Sequence, residues 1–121
     1  MGRKPMAIFD SAHNEGGIKE LVLQLKKLKF DHLHFVYGTV ADKDITHILS
    51  MLPARAAYYF CRPDIPRGKD ASELQKEATI QKLKGSVYPS VKKALKTALS
   101  QAKKNDLVLV SGSIFVVAEV I

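Results

Sequence analysis

Only one cysteine, Cys61, stands among the 121 residues. That excludes a disulfide framework and any cysteine-rich zinc module. Tryptophan is absent. No apolar run approaches the roughly 18–20 residues of a membrane-spanning helix. The first residues, Met1-Gly2-Arg3-Lys4-Pro5, are basic but lack the apolar stretch of a signal peptide. The chain is therefore expected in a reducing cytoplasm, with no membrane partner. Repeats, low-complexity tracts and linker-like stretches are also missing, so a single domain over residues 1–121 is expected.

What is present is the balance of a folded domain, 46% hydrophobic and 26% charged. A chain of this length buries roughly two-thirds of its unfolded surface, enough for a core without staples. Acids are the scarcer charge: 12 Asp and Glu stand against 19 Lys and Arg, a net charge of +7. The basic residues are spread from Lys19 to Lys104 without a dense block or interleaved aromatics. They read as solvated helix faces, so no nucleic acid is expected as a partner. A basic nucleic-acid-binding domain is the competing view, and it predicts strongly salt-dependent affinity. The surplus charge also helps to attract an anionic substrate.

The apolar residues alternate between two periods. Met6-Ala7-Ile8-Phe9 reads as a buried strand ending at Asp10. Ile18, Leu21, Val22, Leu25 and Leu28 mark one helix face. Leu33 to Tyr37 is a second strand, and Ile45, Ile48, Leu49 and Leu52 a second helix stopped by Pro53. A third strand covers 56–61, followed by a Pro-rich loop and a helix over about 72–83. Ser86-Val87-Tyr88 suits a short edge strand, and Ser90 caps a fourth helix. Leu107 to Val110 is the last strand, while 114–121 fits strand or helix equally. Such alternation implies a Rossmann-like α/β domain, an open and mostly parallel sheet with helices on both faces. Ligands of such sheets bind beyond the carboxyl ends of the strands.

At the end of the first strand stands Asp10-Ser11-Ala12-His13-Asn14-Glu15-Gly16-Gly17. An acid and an imidazole three residues apart fall on a strand-to-helix turn. Asn14 suits a helix cap, and the glycines let a ligand approach backbone N–H groups. A helix N-terminus favours an anion, to which His13 adds a donor or a positive charge. A polar turn with a cap and nothing bound fits the spacing equally well. Other histidines read more plainly. His32 and His34 share a strand face, but no carboxylate or cysteine is seen to complete a metal set, so no metal site is expected. His47 is expected on an exposed helix face, Cys61 as a buried inert thiol, and Asp42 or Asp44 as a helix cap.

Phe9-Asp10-Ser11-Ala12-His13-Asn14 resembles the D-x-A-H-N motif that opens the C-terminal domain of the Mur ligase superfamily. The likeness is greatest to folylpolyglutamate synthase and dihydrofolate synthase. Phe35-Val36-Tyr37-Gly38 with Asp42-Lys43-Asp44 resembles the family's second strand and the K-D segment after it. Arg62-Pro63-Asp64-Ile65-Pro66-Arg67 is similar to its loop ending in Pro-Arg, and Ser111-Gly112-Ser113-Ile114-Phe115 to its G-S signature. These matches run in order from about residue 5 to 120. Ser11 and Glu15 depart from the family's usual Gly and Pro, and Glu15 beside a phosphate would repel it.

The resemblance implies an ATP-dependent enzyme that joins L-glutamate to dihydropteroate or a folylpolyglutamate through an acyl phosphate. It implies that Asp10, His13 and Asn14 approach the nucleotide and that Ser113 and Gly112 serve glutamate, with Arg67 the weaker candidate there, since a loop arginine is more often a solvated surface residue. No residue of this chain is expected to be catalytic by itself. The family's N-terminal ATPase domain carries a G-x-x-x-x-G-K-[ST] phosphate loop, and no such run exists here; Gly68-Lys69 is followed by Asp70. ATP and Mg are accordingly implied for the full-length enzyme, with none held by this fragment alone. The fragment is expected to be monomeric, to lack ligase activity, and to have the ATPase domain, ATP, glutamate and a folate-type substrate as partners. A Mur-type peptidoglycan ligase domain and a stand-alone Rossmann-like nucleotide-binding module are the alternatives.

Overall fold

Two strands that are buried at every position form the middle of the sheet: β2 (Leu33–Tyr37) and β5 (Leu107–Ser111). They pair in parallel, Phe35 opposite Leu109. A computed structural model describes residues 5–12, 14–41 and 45–121. Around this pair lie β1 (Met6–Phe9), β3 (Ala57–Phe60) and β4 (Gly85–Val87), giving the order β1-β5-β2-β3-β4. All four pairings are parallel. Each crossover carries a helix: α1 (Glu15–Lys27), α2 (Thr46–Met51), α3 (Ala71–Ile80) and α4 (Val91–Gln101), with α5 (Ile114–Ala118) after β5. The expected open α/β sheet is therefore present.

The two faces divide the helices. Ile18, Leu21 and Leu25 of α1, Ile48 and Leu49 of α2, and Leu74 and Ala78 of α3 pack against Phe35, Tyr37, Tyr58, Phe60, Leu107 and Leu109. Val91, Ala94 and Ala98 of α4 and Val116 and Val117 of α5 pack against Val36, Tyr59, Cys61, Val108 and Val110. Residues alternate between faces along each strand, so two separate apolar layers form from strands that read as continuous apolar runs.

Local chemistry sets the ends. Asn14 caps α1, with Glu15 in its first turn and Lys26 and Lys27 in its last, as the helix dipole favours. Asp70 caps α3, ahead of the expected start near Ser72. That helix also stops short of Leu83. Lys82 takes a left-handed φ of 66°, and the Leu83 N–H returns to the Ala78 carbonyl, closing the helix early. The ambiguous 114–121 segment begins as a short helix capped by Ser113.

One expectation is overturned. Met6-Ala7-Ile8-Phe9 is not a buried strand but an exposed edge, with Met6 59% and Phe9 38% exposed. Its apolar run has the same composition as a central strand, so the pattern alone does not reveal how many neighbours cover it. The expected edge strand at 86–88 is present one residue earlier, at Gly85–Val87.

Candidate functional site

The turn from β1 into α1 is built by short polar contacts. The Asp10 N–H donates to the Val110 carbonyl at 3.0 Å, which ties the turn to β5. The Ala12 N–H donates to Asp10 Oδ1 at 2.8 Å. Asn14 Oδ1 accepts from the Gly17 N–H at 2.8 Å, and the Asn14 carbonyl accepts from Ile18 at 2.9 Å. From the next strand, Ser111 Oγ donates to the Ala12 carbonyl at 3.2 Å. A cleft of about 290 Å³ opens beside this turn, lined by Asp10, Ser11, Ala12, Asn14, Gly17 and Gln24 among others. A helix N-terminus next to such a cleft suits an anionic oxygen. His13 lies outside the described residues, as do Asp42, Lys43 and Asp44.

Glu15 is not left alone at this turn. Its Oε1 stands 3.1 Å from His47 Nε2 of α2, with both side chains about two-thirds exposed. The pair offsets part of the repulsion that Glu15 would exert on a phosphate, though exposed pairs of this kind are weak.

Beside the turn, at the end of β5, come Gly112 and Ser113. Gly112 has a φ of +115°, and a Cβ there would stand 2.1 Å from the Gly38 carbonyl oxygen. Only glycine suits that position. Ser113 is buried, and its Oγ accepts from the Phe115 N–H at 3.1 Å, capping α5. The β1–β5 register thus puts Asp10 and Asn14 on the strand end neighbouring Gly112 and Ser113.

Arg67 is farther along the sheet, in the loop after β3. That loop is held by two contacts that sequence reasoning missed. Arg62 Nε donates to the Gly68 carbonyl at 2.9 Å, and its Nη2 to Ile65 at 3.3 Å. Lys69 is buried and pairs with Glu77 Oε1 at 3.2 Å. The loop also joins the end of β2: Val40 and Gly68 form an antiparallel bridge, flanked by the bonds from Ala41 to Arg67 and from Lys69 to Thr39. Arg67 itself is exposed. Gly68 also packs closely on the Pro63 carbonyl, where a Cβ would stand 2.3 Å away, so the loop is tightly folded.

At the opposite end of the sheet, a carboxylate that the sequence reading did not find stands against His32 and His34, as an ion-pair partner. Asp106 Oδ2 lies 3.0 Å from His34 Nε2, and Oδ1 lies 3.4 Å from His32 Nδ1. The partner is 72 residues away from His34 in the chain, beyond the reach of any spacing rule. His34 Nδ1 in turn meets the Tyr59 hydroxyl at 2.8 Å. Burial works against a charged Asp106, but hydrogen bonds from the Lys103 N–H and His34, with His32 close by, outweigh it and hold the carboxyl at about 2. Among the described residues, no group of three His, Cys, Asp or Glu is arranged to hold a metal ion.

Residues 1–114 match the family of the Mur ligase glutamate ligase domain. The chain is 36% identical, over 98% of its length and 14% of the relative's, to the probable bifunctional folylpolyglutamate synthase/dihydropteroate synthase of Haloferax volcanii. Escherichia coli FolC in complex with DHPP and ADP shares the fold at a TM-score of 0.87 and 34% identity, over 99% of this chain and 28% of that one. The Yersinia pestis bifunctional folylpolyglutamate synthase/dihydrofolate synthase complexed with AMPPNP and Mn ion gives 0.85 and 29%, over 99% and 28%. The chain spans less than a third of the length of each of these relatives.

Proposed function

The chain belongs to the Mur ligase glutamate ligase domain family, and from that premise we propose that it is the C-terminal domain of an ATP-dependent ligase adding L-glutamate to dihydropteroate or a folylpolyglutamate. The observation that carries this reading is the 10–17 turn, tied to β5 through Val110 and Ser111 beside Gly112 and Ser113. Asp10 and Asn14, read here as nucleotide residues, thereby stand beside Gly112 and Ser113, read as glutamate residues.

In this reading, the γ-phosphoryl group of ATP passes to a carboxylate of the pteroate or folate, and ADP leaves. The glutamate amino group then attacks the acyl carbon. An amide bond forms, the phosphate departs with the C–O electron pair, and the amine loses its proton. The role of this chain is to bind, orient and close. Asp10, His13 and Asn14 face the ribose and phosphate side of the nucleotide. Gly112 and Ser113 border the glutamate, and Arg67 offers a planar fork suited to a carboxylate. Closure over the acyl phosphate excludes water, which would otherwise hydrolyse it. The adenine nucleotides bound to the E. coli and Y. pestis relatives support the nucleotide assignment. The metal is assigned to the ATPase part of the parent protein, where the family's phosphate loop lies. Among the described residues no helix is long and apolar enough to cross a membrane.

The test is an assay of the full-length parent protein with dihydropteroate, ATP and labelled glutamate. Glutamate incorporation matched mole for mole by ADP and phosphate is the expected result. Incorporation into a UDP-linked peptide precursor instead would move the protein to the peptidoglycan branch. Nucleotide binding without any amide product would leave only the binding module. This chain by itself is expected to turn over nothing.

A further inference from the structure

Two arginines, Arg62 and Arg67, bracket the loop after β3, and the fold gives them different tasks. Arg62 turns its fork onto the loop itself. Its Nε donates to the Gly68 carbonyl at 2.9 Å and its Nη2 to the Ile65 carbonyl at 3.3 Å. A planar guanidinium suits such a two-point contact, whereas an ammonium on a flexible stem is a single point charge. The stem packs too: Arg62 Cγ lies 3.1 Å from where a Gly68 Cβ would stand. Pro63 and Pro66 fix φ at two places in between. The Gly68 N–H donates back to the Ile65 carbonyl at 2.9 Å. Arg62 thus closes the loop from its first residue to the residue after Arg67.

Arg67 is exposed, yet its backbone is held from both sides. Its carbonyl accepts from the Ala41 N–H at 2.6 Å, and the Lys69 N–H donates to the Thr39 carbonyl at 2.9 Å, both just beyond β2. From the other side comes the contact of Arg62 with Gly68. The outer corner of the loop is tied as well. Glu119 Oε2 accepts from the Asp64 N–H at 2.6 Å, and Glu119 ends α5, the helix that Ser113 caps. The loop is thereby anchored to the same short helix as Ser113. A long side chain loses rotamer freedom when it binds, and a mobile backbone beneath it would add to that loss.

We infer that Arg62 is a positioning residue for glutamate recognition: its fork fixes the backbone from which Arg67 reaches a carboxylate of the incoming amino acid. The inference rests on the reading of Arg67 as a glutamate residue. Arg62 acts through Arg67 and not on the substrate, because its Nε and Nη2 are taken by Gly68 and Ile65.

The test is steady-state kinetics of the full-length parent protein, with glutamate and ATP varied in turn. The variants are Arg62→Met, Arg62→Lys, Arg67→Ala and the double variant Arg62→Met/Arg67→Ala. Methionine keeps much of the stem and removes both donors. Arg62→Met should raise KM for glutamate roughly tenfold, since a misplacement of about 1 Å can cost on the order of a hundredfold. KM for ATP and kcat should stay within about twofold, the pattern of a lost binding contact. Arg62→Lys should fall between, because one ammonium restores part of a two-point contact. The double variant should be no worse than Arg67→Ala alone, because nothing is left to position.

A purely structural role predicts otherwise: a lower kcat, a raised KM for ATP as well, and losses that add to those of Arg67→Ala. That pattern would overturn the inference. Exchange of the Gly68 amide, measured without ligand, reports the loop by itself. Faster exchange in Arg62→Met with an unchanged KM for glutamate would leave Arg62 a staple only, and the inference would fall alone. An unchanged KM for glutamate in Arg67→Ala would remove the reading of Arg67 and this inference with it. Should Arg62→Met fail to fold, Arg62→Lys decides by the same criteria.

Discussion

Gly112 rests directly on Gly38, the backbone of one strand end against that of its neighbour, with 2.1 Å between a notional Gly112 Cβ and the Gly38 carbonyl oxygen. The φ of +115° adds a second reason for glycine. Gly112→Ala must therefore push β5 from β2 as well as strain its own backbone. A loss of about 3 kcal/mol or more is expected, read as a large fall in the urea midpoint. Gly16→Ala is the control: its Cβ would meet nothing nearer than 3.7 Å, in a helix where alanine is preferred, so no loss is expected.

The Asn14 cap separates stability from ligand binding. Asn14→Ala removes the acceptor for the Gly17 N–H and should cost about 1 kcal/mol of unfolding free energy. Asn14→Asp keeps the cap and adds a negative charge beside the cleft. It should leave the denaturation midpoint near the parent value while weakening nucleotide binding in the full-length protein. Calorimetric titration with ADP alongside urea melts checks both arms.

Most of this framework was legible because it rests on local chemistry. The 33–37 strand, the Asn14 and Ser90 caps and the order of elements follow from period and capping residues. What escaped depends on distant partners. The exposure of β1 is decided by its place at the end of the sheet, where β5 is its one neighbouring strand among the described residues. Arg62 was visible only as part of a motif, since its acceptors Ile65 and Gly68 depend on how the loop folds back. Asp106 stands far from His34 in sequence, and only the β2–β5 pairing brings them together.

That pairing carries a pH signature. Asp106 holds its carboxyl at about 2, below the ordinary value of roughly 3.9 for an unfolded aspartate. A depressed folded-state value adds stability that is fully present above the unfolded value and disappears as the pH falls through the folded one. The loss is thus expected between about pH 4 and pH 2. Asp106→Asn should be less stable near neutrality and show a flatter fall across that acidic window. Urea midpoints of the two proteins, differenced at each pH, isolate this group from the other carboxylates.

Cys61 should be inert in the folded domain. It is fully buried at the end of β3, and burial, with the Glu119 charge second, pushes its thiol up to about 12. A thiol reagent at about pH 8 finds almost no thiolate there. Negligible labelling in buffer and complete labelling in denaturant are expected. Rapid labelling of the native protein would contradict the tight packing of β3 against α4.

Two histidines frame the remaining question at the turn proposed for the nucleotide. His13 falls between Asp10 and Asn14 in sequence, where an imidazole adds a donor or a positive charge for a phosphate. His47 reaches the same region from α2, but only through Glu15, and that pair is exposed. An exposed pair contributes at most about 1 kcal/mol, a change of roughly fivefold in rate. A donor aimed at developing negative charge contributes more, on the order of a hundredfold. In the full-length protein, His13→Ala is therefore expected to lower kcat/KM for ATP well beyond the effect of His47→Ala. Glu15→Gln combined with His47→Ala should recover what the latter loses, because the unneutralised carboxylate is gone. Equal losses from the two histidines, with no recovery in the double variant, would take His13 out of the nucleotide site.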